Sequence, residues 1–157
     1  MNLQLANEIE TQRKTDMGRI VCSVTISNVA VGTQHLKCDA LVDTGAAHMV
    51  LPRVWKSRLG ELETIERIVL ETATQDMVEG EVCGPVRIQI EGFRPIYNEV
   101  LFVDMKEADD GYEPLIGYLI LEQSQAGVDM IGHRLIHLKR MDLKRCRHKN
   151  AIMQSHR

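Results

Sequence analysis

Asp43, Thr44 and Gly45 are the residues whose types and spacing point most directly to chemistry. They stand in "ALVDTGAAHMVLP", where Leu41 and Val42 precede the acid and Val50 and Leu51 follow it. A carboxylate in that apolar setting would be held on a rigid support, from which it can take or give a proton. Gly45 allows a tight turn and a close backbone approach that a side chain would block. Thr44 brings a hydroxyl able to lock the loop through hydrogen bonds, and Ala46 is small enough for a ligand to lie close. Two other readings of Asp43 follow from residue type. An aspartate before glycine also suits an Asx turn with no chemistry. A phosphatase-type nucleophile also follows an apolar strand, but such enzymes show Asp-x-Asp, and position 45 is glycine.

The elements that must position this triplet read mostly as strands. In "RIVCSVTISNVAVG", Ile20, Cys22, Val24 and Ile26 share one face and Val21, Ser23, Thr25 and Ser27 the other, the period of a half-buried strand. A turn is expected around Asn28 to Gly32, then a second strand, "HLKCDALV", running into Asp43. "HMVLP" is a short apolar run that Pro52 stops, and "RVWKSRLGEL" suits one or two helical turns. "ERIVLETATQDMVEGEVCGPVRIQIEG" reads as strand, polar turn, strand, with Gly80 and Gly84 near the bend. "NEVLFVDM" is a further strand and "EADDGYEP" an acidic loop. "LIGYLILEQSQAGVDMIGHRLIHLKR" reads as short strand, helical turn, strand, tight turn, strand. Many short strands, frequent turns and little helix predict a mainly-β chain, a closed or sandwich-like barrel.

Bulk properties narrow the function classes. A chain of 157 residues predicts one domain, able to bury roughly 68–70% of its unfolded surface. A net charge of −3 argues against a nucleic-acid or membrane-surface protein. No run of 18 apolar residues suits a transmembrane helix, and "MNLQLANEIETQRKTD" carries no apolar signal core, so a cytoplasmic chain is expected. Cys22, Cys38, Cys83 and Cys146 form no CxxC pair and read as free thiols rather than a zinc site. His133 and His137 have the spacing of a metal pair, but no Glu follows His133 and the segment reads as a hairpin, so surface histidines are expected. Trp55 reads as a packing residue beside the Asp43 loop, and the eight methionines as core gap fillers.

"LVDTGAAHMVLP" resembles the active-site loop of retropepsin-like (retroviral-type) aspartic proteases, and more narrowly their small bacterial members. The likeness continues downstream. "ETATQDMVEGEVCGPVRIQI" is placed as the family's flap hairpin, "PLIGYLILEQ" as its apolar-apolar-glycine segment with a short helix, and "AGVDMIGHRLIHL" as a closing hairpin. The resemblance covers about Arg19 to Lys139 and implies a small closed β-barrel of the retropepsin-like acid protease type with one or two short helices. The chain then divides into a polar lead-in (1–17), a protease-like domain (18–139) and a basic tail (140–157). The tail reads as solvated, with contact to an anionic partner as the rival.

The resemblance implies an aspartic endopeptidase with Asp43 catalytic. Thr44, Gly45 and Ala46 would support the loop, with Thr44 bracing the matching loop of a partner subunit. Thr74, Gln75, Asp76, Met77, Val78 and Gly80 would form the flap over an extended peptide. Leu115, Ile116 and Gly117 would pack behind the loop. No metal or organic cofactor is implied. The flap departs from the viral pattern, because bulky residues replace a glycine-rich tip and Gly80 alone remains. It also carries Glu71, Asp76, Glu79 and Glu81 without Lys or Arg, which suggests a taste for basic peptides or simply a solvated acidic hairpin.

One carboxylate is not enough for this reaction. One group must take a proton from water while a second gives one to the carbonyl oxygen. Asp129 and Asp104 follow apolar residues too, but neither is followed by Thr-Gly. A single Asp-Thr-Gly therefore predicts a homodimer with one Asp43 from each copy. The rival from another class is a retropepsin-like dimer that binds a peptide or partner with little or no cleavage.

Overall fold

The computed structural model describes residues 18–139. The lead-in (1–17) and the tail (140–157) lie outside the described residues, and with them Cys146 and the tail's basic cluster. Nine strands, one 3-10 helix and one short α-helix make up the described chain. The strands are β1 (Val21–Asn28), β2 (His35–Val42), β3 (Met49–Pro52), β4 (Glu63–Glu71), β5 (Met77–Ile90), β6 (Ile96–Val103), β7 (Leu115–Ile116), β8 (Ala126–Asp129) and β9 (Arg134–His137). The 3-10 helix covers Arg53–Leu59, and the α-helix, α1, covers Tyr118–Ser124.

Strand order in the main sheet is β1-β2-β7-β3-β6-β5-β4, and β1 also pairs with β5. That extra pairing closes six strands into a barrel and leaves β4 as an added outer strand on β5. Alternation along β1 decides what the barrel contains. Val24 and Ile26 are fully buried while Val21 is exposed. Ile88 and Ile90 on β5 meet Ile26 and Val24 in register, so two alternating strands seal one wall with branched side chains. Phe102, Met49, Leu51, Ile116 and Ile120 complete the interior. With only two phenylalanines in the chain, Phe102 supplies the one aromatic side chain of this core that is fully buried.

A second, smaller apolar cluster lies apart from this core. Val50, Val82, Leu101 and Val103 form its buried part, with Ala46, Ile68, Leu70, Val78, Met105 and Leu115 packed on it. β3 and β6 run parallel, with Val50 opposite Leu101, and β3 meets β7 through Val50 and Leu115. β4 and β5 project past this cluster as a long hairpin.

Asn28 shows how the first turn is held. It is buried, its Nδ2 donates to the carbonyls of Leu59 (2.8 Å) and Glu61 (3.0 Å), and its Oδ1 accepts from Ala30 N–H (2.8 Å). A buried amide with donors and acceptor all used carries little desolvation cost. It ties the β1–β2 turn to the far end of the 3-10 helix. No helix among the described residues is long and apolar enough to cross a membrane.

Candidate active site

β2 delivers Asp43 to the edge of the second cluster. Its last residues run parallel to β7, with Leu41 opposite Leu115 and Val42 opposite Ile116. The ladder extends one residue further, where Asp43 N–H donates to Ile116 O at 3.0 Å. The chain then turns, and Ala46 N–H donates to Asp43 O at 3.2 Å. Within the turn, Gly45 N–H donates to Asp43 Oδ1 at 2.9 Å. A Cβ on Gly45 would stand 3.1 Å from that same oxygen, so glycine keeps the carboxylate uncrowded. Asp43 is half-buried and Thr44 exposed.

The loop and α1 lock each other. A helix start leaves several N–H groups without internal partners. Here Tyr118 N–H donates to Ala46 O (2.9 Å) and Leu119 N–H to Ala47 O (3.1 Å). Gly117, just before the helix, sits so close to this loop that a Cβ would fall 2.3 Å from His48 O and 2.4 Å from Ala47 O. No side chain fits there. Ile116 is fully buried in the barrel core, while Leu115 packs on the second cluster under the loop.

A cleft of about 850 Å³ opens in front of Asp43. Gly45, Ala46, Val50, Leu101, Val103 and Leu115 line its floor, and Ile68, Leu70, Glu71, Thr72, Ala73 and Val78 line the hairpin side. Such a groove, mostly apolar with a few convergent polar groups, is suited to a ligand. Of the hairpin residues expected over it, only Val78 lines it. Thr74, Gln75 and Asp76 form the turn beyond the strands, and Met77 is exposed. Gly80 lies inside β5 rather than at the bend, where a Cβ would meet Leu101 Cδ1 at 2.7 Å. It gives room for packing rather than for a turn. The cleft-facing residues of β4, Ile68 and Leu70, were not singled out from sequence. Their alternation in "RIVLE" would have found them, had the hairpin's inner face been known.

The hairpin tip is tied to itself. Thr72 N–H donates to Asp76 O and Gln75 N–H to Thr72 O, both at 2.9 Å. Thr74 Oγ1 donates to Asp76 Oδ2 (2.8 Å), and Asp76 N–H donates to Thr72 Oγ1 (3.1 Å). Gln75 takes a left-handed conformation, φ 65°, without being glycine. Lower down, Lys56 of the 3-10 helix donates to Glu81 Oε2 at 2.7 Å.

The other sequence candidates lie elsewhere. Asp129 Oδ1 accepts from Gly132 N–H (2.8 Å) and Ile131 N–H (3.2 Å), closing the β8–β9 turn. The Gly132 bond first, then Arg134 and the Ile131 bond, hold its carboxyl below the usual range. His133 occupies that same turn with φ 48°, and the His137 ring stacks on Phe93 at 4.3 Å. Trp55 meets Tyr112 edge-on at 5.9 Å, with Arg58 over its ring at 5.2 Å, and does not line the cleft. Among the described residues, Cys22, Cys38 and Cys83 form no disulfide. Burial, then the charge of Asp39, pushes the Cys38 thiol up to about 11, which makes it a poor thiolate donor at neutral pH. Among the described residues no three His, Cys, Asp or Glu side chains are grouped to hold a metal ion.

Comparison with known proteins finds no family model that matches the chain and no matching curated protein. Among solved structures, the chain is similar to the EIAV protease in complex with the inhibitor HBY-793. The TM-score is 0.50 at 24% identity, over 67% of this chain and 86% of that one. At this identity the likeness bears on the fold alone. The fold is mainly β and retropepsin-like: a closed six-stranded barrel with an outer hairpin and two short helices.

Proposed function

We propose that this chain is an aspartic endopeptidase, similar to the small bacterial retropepsin-like proteins, which hydrolyses peptide bonds as a homodimer. The observation that carries the reading is the placement of Asp43. Its carboxylate stands at the head of an apolar cleft, on a turn braced by Ile116, Gly117 and the start of α1. In the dimer, Asp43 of each copy supplies half of the site. Two carboxylates about 3 Å apart cannot both ionise easily, so they share a proton and titrate as a pair. One takes a proton from a bound water as it attacks the scissile carbonyl. The other donates its proton to the carbonyl oxygen. The amide then breaks from a tetrahedral intermediate, with no covalent enzyme adduct. Thr44 is exposed at the loop, and in this reading it braces the partner's loop. The β4–β5 hairpin covers an extended substrate and excludes water.

The test is cleavage of a mixed peptide library, with and without pepstatin, by wild type and Asp43→Asn. Cleavage that pepstatin blocks and Asp43→Asn abolishes is expected. Cleavage that survives Asp43→Asn would sink the assignment. A second reading, a dimer that binds peptides with little turnover, draws on the hairpin tip. That tip has no glycine at its turn and is held by side-chain hydrogen bonds. Retained peptide binding with no cleavage by wild type is the outcome that favours it.

A further inference from the structure

The hairpin carries four acids, Glu71, Asp76, Glu79 and Glu81, and the structure separates them. Glu81 is neutralised by Lys56 at 2.7 Å and faces Arg67 at 3.6 Å. Asp76 accepts from Thr74 within the tip. Glu79 lies outside the cleft, on the flank that holds Arg53 and Arg67. Glu71 alone of the four lines the cleft, and among the described residues it faces no Lys or Arg within ion-pair distance. Across from the hairpin, Asp104 lines the same cleft and meets Arg53 Nε at 3.2 Å. Arg53 also donates to Glu79 O at 2.9 Å, so its guanidinium is held on the outer flank. His48 lines the cleft too, 3.8 Å from Glu99. No Lys or Arg lines the cleft among the described residues.

The cleft therefore combines an apolar floor with a rim on which Asp104 is paired with Arg53 and Glu71 has no Lys or Arg partner among the described residues. From this we infer that Glu71 is a specificity-determining residue that selects peptides carrying a lysine or arginine beside the apolar residues at the scissile bond. The inference rests on the endopeptidase reading and adds the substrate class to it. An extended chain alternates its side chains, so apolar groups can reach Val50, Leu101 and Leu115 while neighbouring ones reach the rim. Glu71 stands at the end of β4, the arm under which such a chain would run. Electrostatic complementarity of this kind acts on choice of partner and on encounter more than on raw affinity, and salt screens it. A second copy would bring a second Glu71 to the shared cleft. Acidic peptides would meet like charge and be rejected.

The experiment uses the full chain and peptides with one apolar core, in which a single Lys or Glu is moved through the flanking positions. The readout is the ratio of kcat/KM for the Lys peptide to that for the Glu peptide. Wild type should favour Lys at one or more positions by about fivefold or more at low salt, less at high salt. Glu71→Gln should pull that ratio toward one, and Glu71→Lys should invert it. Glu91→Gln removes an exposed acid away from the cleft and should leave the ratio unchanged. Cleavage that Asp43→Asn abolishes, with no Lys preference or with equal ratios in wild type and Glu71→Gln, overturns this inference and leaves the protease reading standing. An equal fall in Glu91→Gln would show a general charge effect and overturns it as well. If no peptide is cleaved, the protease reading fails, and fluorescence anisotropy with the same peptides decides the inference: Lys-selective binding lost in Glu71→Gln supports it, and unselective or absent binding overturns it.

Discussion

The Asp43 loop and the tip of the β4–β5 hairpin face the same cleft, yet they are held in different ways. The loop is bonded to the body of the protein: Asp43 to Ile116, and Ala46 and Ala47 to the first N–H groups of α1. Behind it, Gly117 leaves no space for even one methyl group. The tip is bonded to itself, through Thr72, Thr74 and Asp76, and the hairpin is hydrogen-bonded to the 3-10 helix lower down, where Arg53 meets Glu79 O and Lys56 meets Glu81. The difference suits the two tasks of the proposed endopeptidase. A reacting carboxylate needs a fixed position, whereas a cover over a peptide must admit and release it. Local stability follows from such contacts, so the tip should open more readily than the loop.

The contrast can be broken most strongly at Gly117. Gly117→Ala sets a methyl group against two backbone carbonyls that belong to the loop. The expected cost is about 3 kcal/mol, read by urea or thermal denaturation. A change under about 0.5 kcal/mol, the range of ordinary surface substitutions, would mean that the loop is not packed as tightly as described.

A smaller effect is expected where the hairpin is tied to the 3-10 helix. The hydrogen bond from Lys56, above all, holds the Glu81 carboxyl below its ordinary range, against the opposing effect of desolvation. Its folded value lies below the unfolded value of about 4.3. The stabilisation it gives is therefore complete above that unfolded value and is lost as pH falls through the folded one. Glu81→Gln should cost about 0.5–1 kcal/mol near pH 7, and the gap from wild type should close in acid. A gap that widened on acidification would contradict the assignment.

The smallest effect should come from the tip. Gln75→Gly relieves a left-handed residue but gives the unfolded chain more freedom, and these terms oppose each other. Stability should stay within about 1 kcal/mol of wild type. Hydrogen exchange of residues 72–76 should rise without change in the Asp43 loop. Exchange rising in both would show that tip and loop are one unit.

Much of the loop side was legible because its signals are local. Alternation in β1 and β2, the glycine after Asp43 and the apolar pair before Gly117 each declare themselves within a few residues. The hairpin was harder to place. Its two strands alternate equally well on either face, so nothing in "ERIVLETAT" says that Ile68 and Leu70 turn toward the cleft. Gly80 misled because glycine usually marks a bend, whereas here it makes room beside Leu101 inside a strand. Closure of the barrel by β1 and β5, and the parallel run of β2 beside β7, join residues 58 to 74 positions apart. Sequence pattern carries little of that pairing. The same holds for Asp104 and His48, which reach the cleft only through the fold.

In the proposed dimer, Asp43 is half of a site whose other half is the same residue in a second copy. The most direct measurement is the separation of the two Asp43 carboxylates in a crystal structure of the assembled dimer. The expected separation is about 3 Å, close enough to share a proton and hold one water between them. A dimer with the two Asp43 loops on separate faces, or an active chain that sediments only as a monomer, would contradict it.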